Sequence, residues 1–204
     1  MFEVTRNKLY IFLFFVSFYT LGYLYKKRGT QIITLVNNVE VQKRLVDEII
    51  GAAVSSGEKN FSHFGKKIDL SELTVTFNPF GSPLLGGPYV LLVFSELSCN
   101  VCQDEESQFA NELIGLLGEG RVRSVIHSRN RRYAAQYIRL NQVKFPVYHI
   151  SDDGFLLKND IQDTPLVLFV DENGFVVFAH SPIPGYPEFS KPFHDFCLSY
   201  FGQR

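Results

Sequence analysis

The chain has 204 residues, of which 46% are hydrophobic and 20% are charged. These values are typical of globular proteins, and the length suits one domain with an extension, so a wholly disordered chain is excluded. The 20 basic and 21 acidic residues give a net charge of −1. Such a balance offers no cationic surface to a phosphate backbone, which excludes nucleic acid as a partner.

An uncharged apolar run, Leu9–Tyr25, lies near the N-terminus and ends at the basic triplet Lys26–Arg28. A transmembrane helix needs about 17–25 apolar residues, and this run is at the short end of that range. Tyrosines at both ends suit the headgroup level. No small-residue cleavage site follows the run, which favours an uncleaved anchor over a signal peptide. We therefore expect residues 1–28 to form an N-terminal transmembrane helix.

Residues 29–60 carry apolar side chains at steps of three and four, which predicts an amphipathic helical linker. The stripe consists of Ile32, Leu35, Val39, Val46 and Ile49, and Ser55-Ser56-Gly57 is expected to end it. Such a helix can pack on its own domain or lie on a membrane surface. A parallel dimer formed through residues 32–50 is the alternative.

Residues 61–204 are expected to form the folded domain. The domain begins with a lead-in that contains a predicted strand, Leu73–Phe77, followed by turn signals at Pro83 and Gly86-Gly87. After Pro88, the apolar run Tyr89–Phe94 is rich in strand formers and predicts a buried strand.

Two cysteines, Cys99 and Cys102, follow this strand and open a predicted helix that ends at Gly118. The residues Gln103–Glu106 are expected to face outward as a polar first turn. Unpaired N–H groups at a helix start stabilise a thiolate. Cys99 is therefore the expected nucleophile, and Cys102, one turn further in, is the expected resolving thiol.

The remaining segments alternate between strand and helix, and they predict a mixed sheet covered on both faces. They are the strand Val122–Ile126, the helix Arg131–Leu140, the strand Phe145–Ile150, the hairpin strands Leu166–Val170 and Phe175–Ala179, and the helix Glu188–Phe201. The hairpin turn contains Asn173-Gly174, a dipeptide that supplies positive φ angles.

From Pro88 to the C-terminus the sequence resembles the thioredoxin-like superfamily, in particular its membrane-anchored members related to cytochrome-maturation thioredoxins. The resemblance rests on the strand that ends five residues before Cys99, on the Cys-x-x-Cys pair, and on the segment Asp163–Gly174 with its Thr-Pro-strand-Asp-x-x-Gly pattern. In that family the proline is cis and faces the cysteines, and the residue before it binds an extended substrate segment. The resemblance therefore implies substrate-binding roles for Thr164 and Pro165.

Two departures from the family pattern leave the direction of electron flow open. Ser98 stands where the family usually has Trp, and Asn100-Val101 replaces the common Gly-Pro or Pro-Pro dipeptide. Glu96, three residues before Cys99, has no evident family counterpart. It is either a proton acceptor near Cys102 or an exposed loop carboxylate, and we favour the second interpretation.

Metal binding is disfavoured. A lone Cys-x-x-Cys could be half of a zinc site, but there is no second pair, and the five histidines are dispersed. A copper chaperone would need a partnering histidine, for which His180 is the candidate; a polar residue at the end of a strand is the simpler interpretation. Cys197, among aromatic residues of the last helix, is expected to be a small buried side chain.

Two other functions compete with disulfide exchange. A peroxiredoxin-like peroxidase shares the fold, but its Pro-x-x-x-Thr-x-x-Cys pattern is missing around Leu92, Phe94 and Glu96. A redox-inert module would use the fold only as a surface that binds a membrane partner. The two intact cysteines argue against this alternative. The resemblance and the cysteine pair thus predict a thiol-disulfide oxidoreductase that needs no cofactor and acts on protein thiols and disulfides.

The cellular location follows only from the proposed chemistry. Basic residues flank both ends of the apolar run, so the positive-inside rule does not orient the chain. Dithiols that exchange with substrate disulfides work mainly in oxidising compartments. We expect a single-pass membrane protein with an extracytoplasmic, periplasmic redox domain, and a membrane or cytochrome-maturation redox protein as a candidate partner.

Overall fold

The computed structural model describes the backbone of residues 2–71, 73, 87–117 and 120–202, and the side chains of these residues from residue 17 onward except that of Leu117. The chain divides into two compact units, Met1–Gly51 and Ala52–Arg204. The predicted strand Leu73–Phe77 and the turn signals Pro83 and Gly86 lie outside the described residues, apart from Leu73.

The first helix, α1, spans Phe2–His63. The prediction that Ser55-Ser56-Gly57 ends the linker helix is therefore wrong. A glycine inside a helix costs only about 1 kcal/mol. The Ser56 hydroxyl donates to the carbonyl oxygen of Ser181 at 2.9 Å, so this hydrogen bond does not compete for the helix backbone. Packing against the domain thus overrides the local stop signal.

The apolar stripe of the predicted linker is exposed except at the half-buried Ile49, with Leu35 and Val39 each 63% accessible. Within the described residues, no helix is long and apolar enough to cross a membrane. Of the predicted anchor, Leu9–Tyr25, residues 9–16 lie outside the residues whose side chains are described. Membrane anchoring and self-association through residues 32–50 both stay predictions.

Five strands form one mixed sheet in the order β3-β2-β1-β4-β5. The strands are β1 (Tyr89–Ser95), β2 (Val122–His127), β3 (Val147–Ile150), β4 (Leu166–Val170) and β5 (Val176–His180). The central strand β1 runs parallel to β2, which runs parallel to β3, while β4 is antiparallel to both β1 and β5. All the predicted strands of this sheet are present.

Helices follow the strands as α2 (Asn100–Leu117), α3 (Arg131–Leu140), α4 (Gly154–Lys158) and α5 (Lys191–Gly202). The sequence prediction missed α4, which is too short to show a period. It also began the last helix too early, because a separate 3-10 turn occupies Pro187–Phe189. Strand β3 begins after Pro146, which has no N–H to donate to a sheet.

The two faces of the sheet are covered by different layers. Alternate residues of β1 point to opposite faces, as in any strand. Phe94 and its neighbours on one face pack with α2, α3 and α5. Val93 and its neighbours on the other face pack with Ile68 and with Phe155 of α4. Burying each such side chain stabilises the fold by about 1.5–3 kcal/mol. This layered mixed sheet is the thioredoxin-like fold.

The β4–β5 turn depends on Asp171 and Gly174. The Asp171 carboxylate accepts hydrogen bonds from the backbone N–H groups of Asn173 at 2.9 Å and Phe175 at 2.8 Å. Among the turn residues Asp171–Phe175, only Gly174 has a positive φ, of 87°, so the expectation that Asn173 shares this role is wrong. The pairing of β4 with β5 shifts by one residue between Phe169 and Val170. Such a bulge accommodates one extra residue in one of the two strands.

A short extended segment covers the outer side of β5 at its beginning. Val176 donates its N–H to the carbonyl of Lys66 at 2.9 Å and accepts from the N–H of Gly65 at 2.8 Å. Ile68 donates to the carbonyl of Gly174 at 2.9 Å. The first residues of this edge strand are therefore paired on both sides.

The strand directions bring three chain segments to one edge of the sheet. Strand β1 ends there with Ser95, β4 begins there with Leu166, and β5 ends there with His180. The segments attached to these ends carry Cys99 and, in the first turn of α2, Cys102; Thr164 and Pro165; and Ser181, respectively.

Candidate redox site

The cysteine pair lies at the junction of β1 and α2. The N–H of Ser98 donates to the carbonyl of Ser95 at 3.0 Å, and the N–H of Gln103 donates to the carbonyl of Cys99 at 3.0 Å. The first bond closes the turn after the strand, and the second is the first hydrogen bond of the helix. The Sγ atoms of Cys99 and Cys102 are 2.6 Å apart. The predicted pair is thus brought together at the predicted junction.

The two sulfur atoms have different surroundings. Cys99 is half-buried, whereas only 1% of Cys102 is exposed. Burial, a hydrogen bond to Cys99 and the charges of Cys99 and Glu105 raise the pKa of Cys102 to about 12. The Cys102 N–H lies 3.4 Å from the Cys99 sulfur, where it can donate to a thiolate. The geometry therefore favours Cys99 as the first sulfur to react.

Three hydroxyl groups tie the cysteine loop to the loop before β4. The Ser98 hydroxyl donates to Thr164 Oγ1 at 2.7 Å, and the Ser95 hydroxyl lies 2.8 Å from the same oxygen. The Ser98 oxygen also accepts from the N–H of Ser95 at 2.9 Å. Ser98, at the family's tryptophan position, is therefore part of a buried hydroxyl cluster. The neighbouring Thr164–Pro165 peptide bond is cis, as predicted.

The surface beside Cys99 is apolar. Leu97 is 93% exposed and Val101 is 59% exposed. Glu96 is half-buried on the same loop, and its N–H donates to the carbonyl of His127 at 3.1 Å. The structure does not join the Glu96 carboxylate to Cys102, so its role as a proton acceptor stays a hypothesis. Leu97 and Val101 are thus two exposed apolar side chains that lie two residues before and two residues after Cys99 in the chain.

The first turn of α2 faces outward only in part, because Asp104 is exposed and Glu105 half-buried, whereas Gln103 and Glu106 are both 1% exposed. The Gln103 side chain donates to the carbonyl of Ser95 at 2.9 Å and accepts from the Tyr133 hydroxyl at 3.1 Å. It therefore fixes the start of α2 against both β1 and α3. The sequence spacing could have indicated that Glu106 is buried. Glu106 lies four residues after Cys102 and therefore shares its face of the helix.

Glu106 is a buried carboxylate between two histidines. Its Oε2 lies 2.9 Å from His194 Nε2, and its Oε1 lies 3.6 Å from His180 Nε2. Burial raises the pKa of Glu106, but the two neighbouring histidines outweigh it and lower the pKa to about 2. His180 also lies 2.7 Å from the Ser190 hydroxyl. This cluster joins α2 to α5 and β5.

The residues considered for metal binding have other surroundings. His180 contacts Glu106 and Ser190 as described, which places it in the core rather than on a ligand-exchanging surface. Cys197 is fully buried, and burial together with the charge of Glu106 raises its pKa. Among the described residues, no three His, Cys, Asp or Glu side chains converge on a point that could hold a metal ion.

Comparison with known proteins gives matches among solved structures only. No family model matches the chain, and no curated protein matches its sequence. A thiol-disulfide isomerase from Corynebacterium glutamicum is 17% identical over 67% of this chain and 97% of its own, with a TM-score of 0.47. A secreted Mycobacterium tuberculosis disulfide oxidoreductase, described as homologous to E. coli DsbE, is 19% identical over 62% and 96%, with a TM-score of 0.44.

A third solved structure, the peroxidoxin BcpB from Mycobacterium tuberculosis, is 16% identical over 69% of this chain and 97% of its own, with a TM-score of 0.46. The similar structures therefore include proteins of disulfide exchange and a peroxidoxin. They do not select one reaction, and the choice depends on the geometry of the cysteines.

Replacing Thr164 tests the hydroxyl cluster. Thr164→Val keeps the shape of the side chain but removes the oxygen that Ser95 and Ser98 contact. We expect the free energy of unfolding to fall by about 0.5–1.5 kcal/mol, the net contribution of lost hydrogen bonds, because the Ser95 and Ser98 hydroxyls keep each other as partners at 3.0 Å. Urea unfolding of the full chain measures it. Thr34→Val, at an exposed threonine, is the control and should change stability little; an equally stable Thr164→Val protein would contradict the cluster's role.

Replacing Glu106 tests the buried charge cluster. Its pKa falls from 4.5 to about 2 on folding, so its stabilising contribution is complete above pH 4.5 and is lost as the pH falls through about 2. We expect Glu106→Gln to lower stability at pH 7 by about 3 kcal/mol and to reduce the loss of stability between pH 4.5 and 2. Urea unfolding at several pH values measures both effects.

The control is Glu112→Gln, which removes a carboxylate from the exposed side of the same helix. It should leave the acid dependence of stability unchanged. If Glu106→Gln and Glu112→Gln gave the same pH profile, the buried cluster would not be the source of the acid sensitivity.

Proposed function

We propose that this protein is a thiol-disulfide oxidoreductase that exchanges a Cys99–Cys102 dithiol or disulfide with protein substrates. The observation that carries the proposal is the 2.6 Å separation of the two sulfur atoms, one half-buried and one buried, at the start of a helix. Two sulfurs so placed can be joined by a bond of about 2.05 Å with only a small movement.

In the reducing direction, the Cys99 thiolate attacks one sulfur of a substrate disulfide. A mixed disulfide forms between Cys99 and the substrate, the substrate S–S bond breaks, and one substrate thiolate leaves and takes up a proton. The N–H of Cys102, 3.4 Å from the Cys99 sulfur, can donate to the thiolate before the attack.

Cys102 completes the exchange. Its thiol loses a proton, and the thiolate attacks the Cys99 sulfur, so that the intramolecular disulfide forms and the second substrate thiol is released. The substrate gains two electrons and two protons; the protein supplies both electrons and the Cys102 proton, and the second proton balances the one that Cys99 released when it ionised. The raised pKa of Cys102 keeps its thiol protonated while Cys99 carries the negative charge, a charge that Cys99 no longer has in the mixed disulfide. The oxidising direction is the reverse sequence.

The substrate is proposed to be another protein that lies across the cysteine loop and the loop before β4. The exposed Leu97 and Val101 offer apolar contacts beside Cys99. Thr164, fixed through Ser98, offers its backbone next to Pro165, in agreement with the role that the family resemblance implies. An apocytochrome or a membrane redox protein fits such a site, and so do misfolded proteins with non-native disulfides.

Replacing each cysteine tests the proposal. Cys99→Ser should abolish disulfide exchange, because the attacking sulfur is gone. Cys102→Ser should accumulate mixed disulfides with substrates, because resolution is blocked. The measurement equilibrates the full chain in glutathione buffers of varied potential and counts trapped thiols by mass.

The wild-type protein should show one reversible two-electron transition confined to Cys99 and Cys102. Cys197→Ala, which removes the third thiol, should retain this transition. A wild-type protein insensitive to the buffer potential would be a redox-inert module, and full reductase activity in both single variants would contradict the assigned roles.

We also propose that residues 1–28 anchor the protein in a membrane, with the redox domain on the extracytoplasmic side. The uncharged run Leu9–Tyr25 and the basic triplet after it support the anchor. Alkaline carbonate should leave the full chain in the membrane pellet and release a chain without residues 1–28. Release of the full chain would contradict the anchor, and activity of a C-terminal reporter that works only in the cytoplasm would contradict the orientation.

A further inference from the structure

The helix α1 carries an apolar stripe that nothing in the proposed exchange uses. If Ile32 is taken as position a of a seven-residue repeat, the stripe occupies positions a and d of the repeat through residue 49. Positions a are Ile32, Val39 and Val46, and positions d are Leu35, Gln42 and Ile49. A stripe with this period is the seam along which helices pair in a coiled coil. We call residues 32–49 the heptad segment.

The seam is accessible in the single chain. Ile32 is 60% exposed and Val46 is 52% exposed. Of the six seam residues, Ile49 alone is half-buried. A continuous row of exposed apolar side chains is unfavourable in water and marks a surface that binds a partner.

The opposite face of the heptad segment is mainly polar. Positions c and f lie there, and all of their residues are exposed: Thr34, Asn37, Val41, Arg44 and Glu48. The Thr34 hydroxyl donates to the carbonyl oxygen of Thr30 at 3.0 Å, so this polar group has its partner within the helix. The segment is therefore two-sided, and its apolar side is the one that lacks a covering.

Gln42 interrupts the seam and identifies the partner. An amide group on an apolar seam costs free energy unless it meets a hydrogen-bonding group. In an antiparallel pair of helices, positions d face positions a, so Gln42 would meet an apolar residue. In a parallel, in-register pair, Gln42 meets Gln42 of the second copy, and each amide can both donate and accept. A single polar residue in a seam fixes the register in this way.

The residues beside the seam, at positions e and g, carry one charge. They are Val36, Asn38, Lys43, Leu45 and Ile50. In a parallel pair, Lys43 faces Asn38 of the second copy, so no two like charges meet across these positions. All three positions a are β-branched and the first position d is leucine, a combination that favours two strands.

The continuity of α1 keeps the seam away from a membrane surface. The helix runs without a break from Phe2 to His63, so an anchor formed by residues 9–25 directs the heptad segment out of the bilayer. At about 1.5 Å per residue, residue 49 lies about 36 Å beyond residue 25 along the helix. Copies anchored in one membrane with the same orientation are parallel, and their confinement raises their effective concentration.

We propose that the heptad segment pairs with the same segment of a second copy of this chain as a parallel, in-register, two-stranded coiled coil. The register depends on Gln42. The parallel direction also rests on the membrane anchor of the proposed function.

Cysteine cross-linking of the full chain in membranes tests the register. The three native cysteines are first replaced by serine or alanine, and one cysteine is then introduced as Leu35→Cys or Ile49→Cys. We expect both variants to form disulfide-linked dimers under copper phenanthroline. These positions are 14 residues, or about 21 Å, apart along the helix, so an antiparallel pair cannot join both positions to their own copies.

The controls place the cysteine on the polar face at nearly the same height, as Asn37→Cys and Glu48→Cys. They should give at least about 10-fold less linked dimer, because a disulfide forms only where the Cα atoms come within about 7 Å. Equal yields at the seam and on the polar face, or linkage at only one of residues 35 and 49, would overturn the register.

A matched pair of substitutions tests the seam itself. Val46→Glu should raise the dissociation constant of the dimer at least about 10-fold, because facing carboxylates replace a buried apolar contact. Val41→Glu makes the same change at an exposed valine of position c and should leave the dissociation constant unchanged. Sedimentation equilibrium of the full chain in detergent micelles measures both, and the wild-type protein should have twice the mass of one chain.

The outcomes separate this inference from the proposed function. Both glutamate variants should keep wild-type disulfide exchange, since neither valine belongs to the redox site. A monomeric wild-type chain that stays in the membrane pellet in alkaline carbonate would overturn the coiled coil and leave the anchor standing. A chain that carbonate releases but that links at both seam positions would overturn the anchor and support the pairing. A mass of three or more chains would overturn the two-stranded arrangement.

Discussion

The antiparallel pairing of β1 with β4 decides where every reactive group lies. Because Val93 pairs with Leu166, the loop after β1 and the loop before β4 leave the sheet at the same edge and on neighbouring strands. The hydroxyl of Thr164 can then reach both Ser95 and Ser98. A shift of this register by one residue would turn Val93 away from its core face and separate the two loops. The buried hydrogen bonds and the apolar core thus fix the same alignment.

Helix α2 combines a reactive end with a polar buried face. Gln103 and Glu106 lie where leucine would be the usual choice, and both are fully enclosed. Burying them is favourable only because Ser95, Tyr133 and the two histidines supply partners. These partners come from four different elements, so the orientation of α2, and with it that of Cys102, depends on the whole domain rather than on the helix alone.

The sequence predicts the local features well because they depend on neighbouring residues. The run Tyr89–Phe94, the helix after Cys99 and the β4–β5 hairpin each follow from apolar period and turn residues. The burial of Glu106 was mispredicted because its partners His180 and His194 are far away in the chain. The length of α1 was mispredicted because a contact with Ser181 outweighs a local Ser-Gly signal.

The segment that pairs with the beginning of β5 has a consequence for behaviour in solution. An edge strand with free N–H and C=O groups is a template on which another chain can add a strand. In this protein Gly65 and Lys66 already occupy those groups at Val176, which shortens the length of strand open to such addition. Loosening residues 65–68 would therefore be expected to promote intermolecular strand pairing and aggregation before it affects the chemistry at the opposite end of the strand.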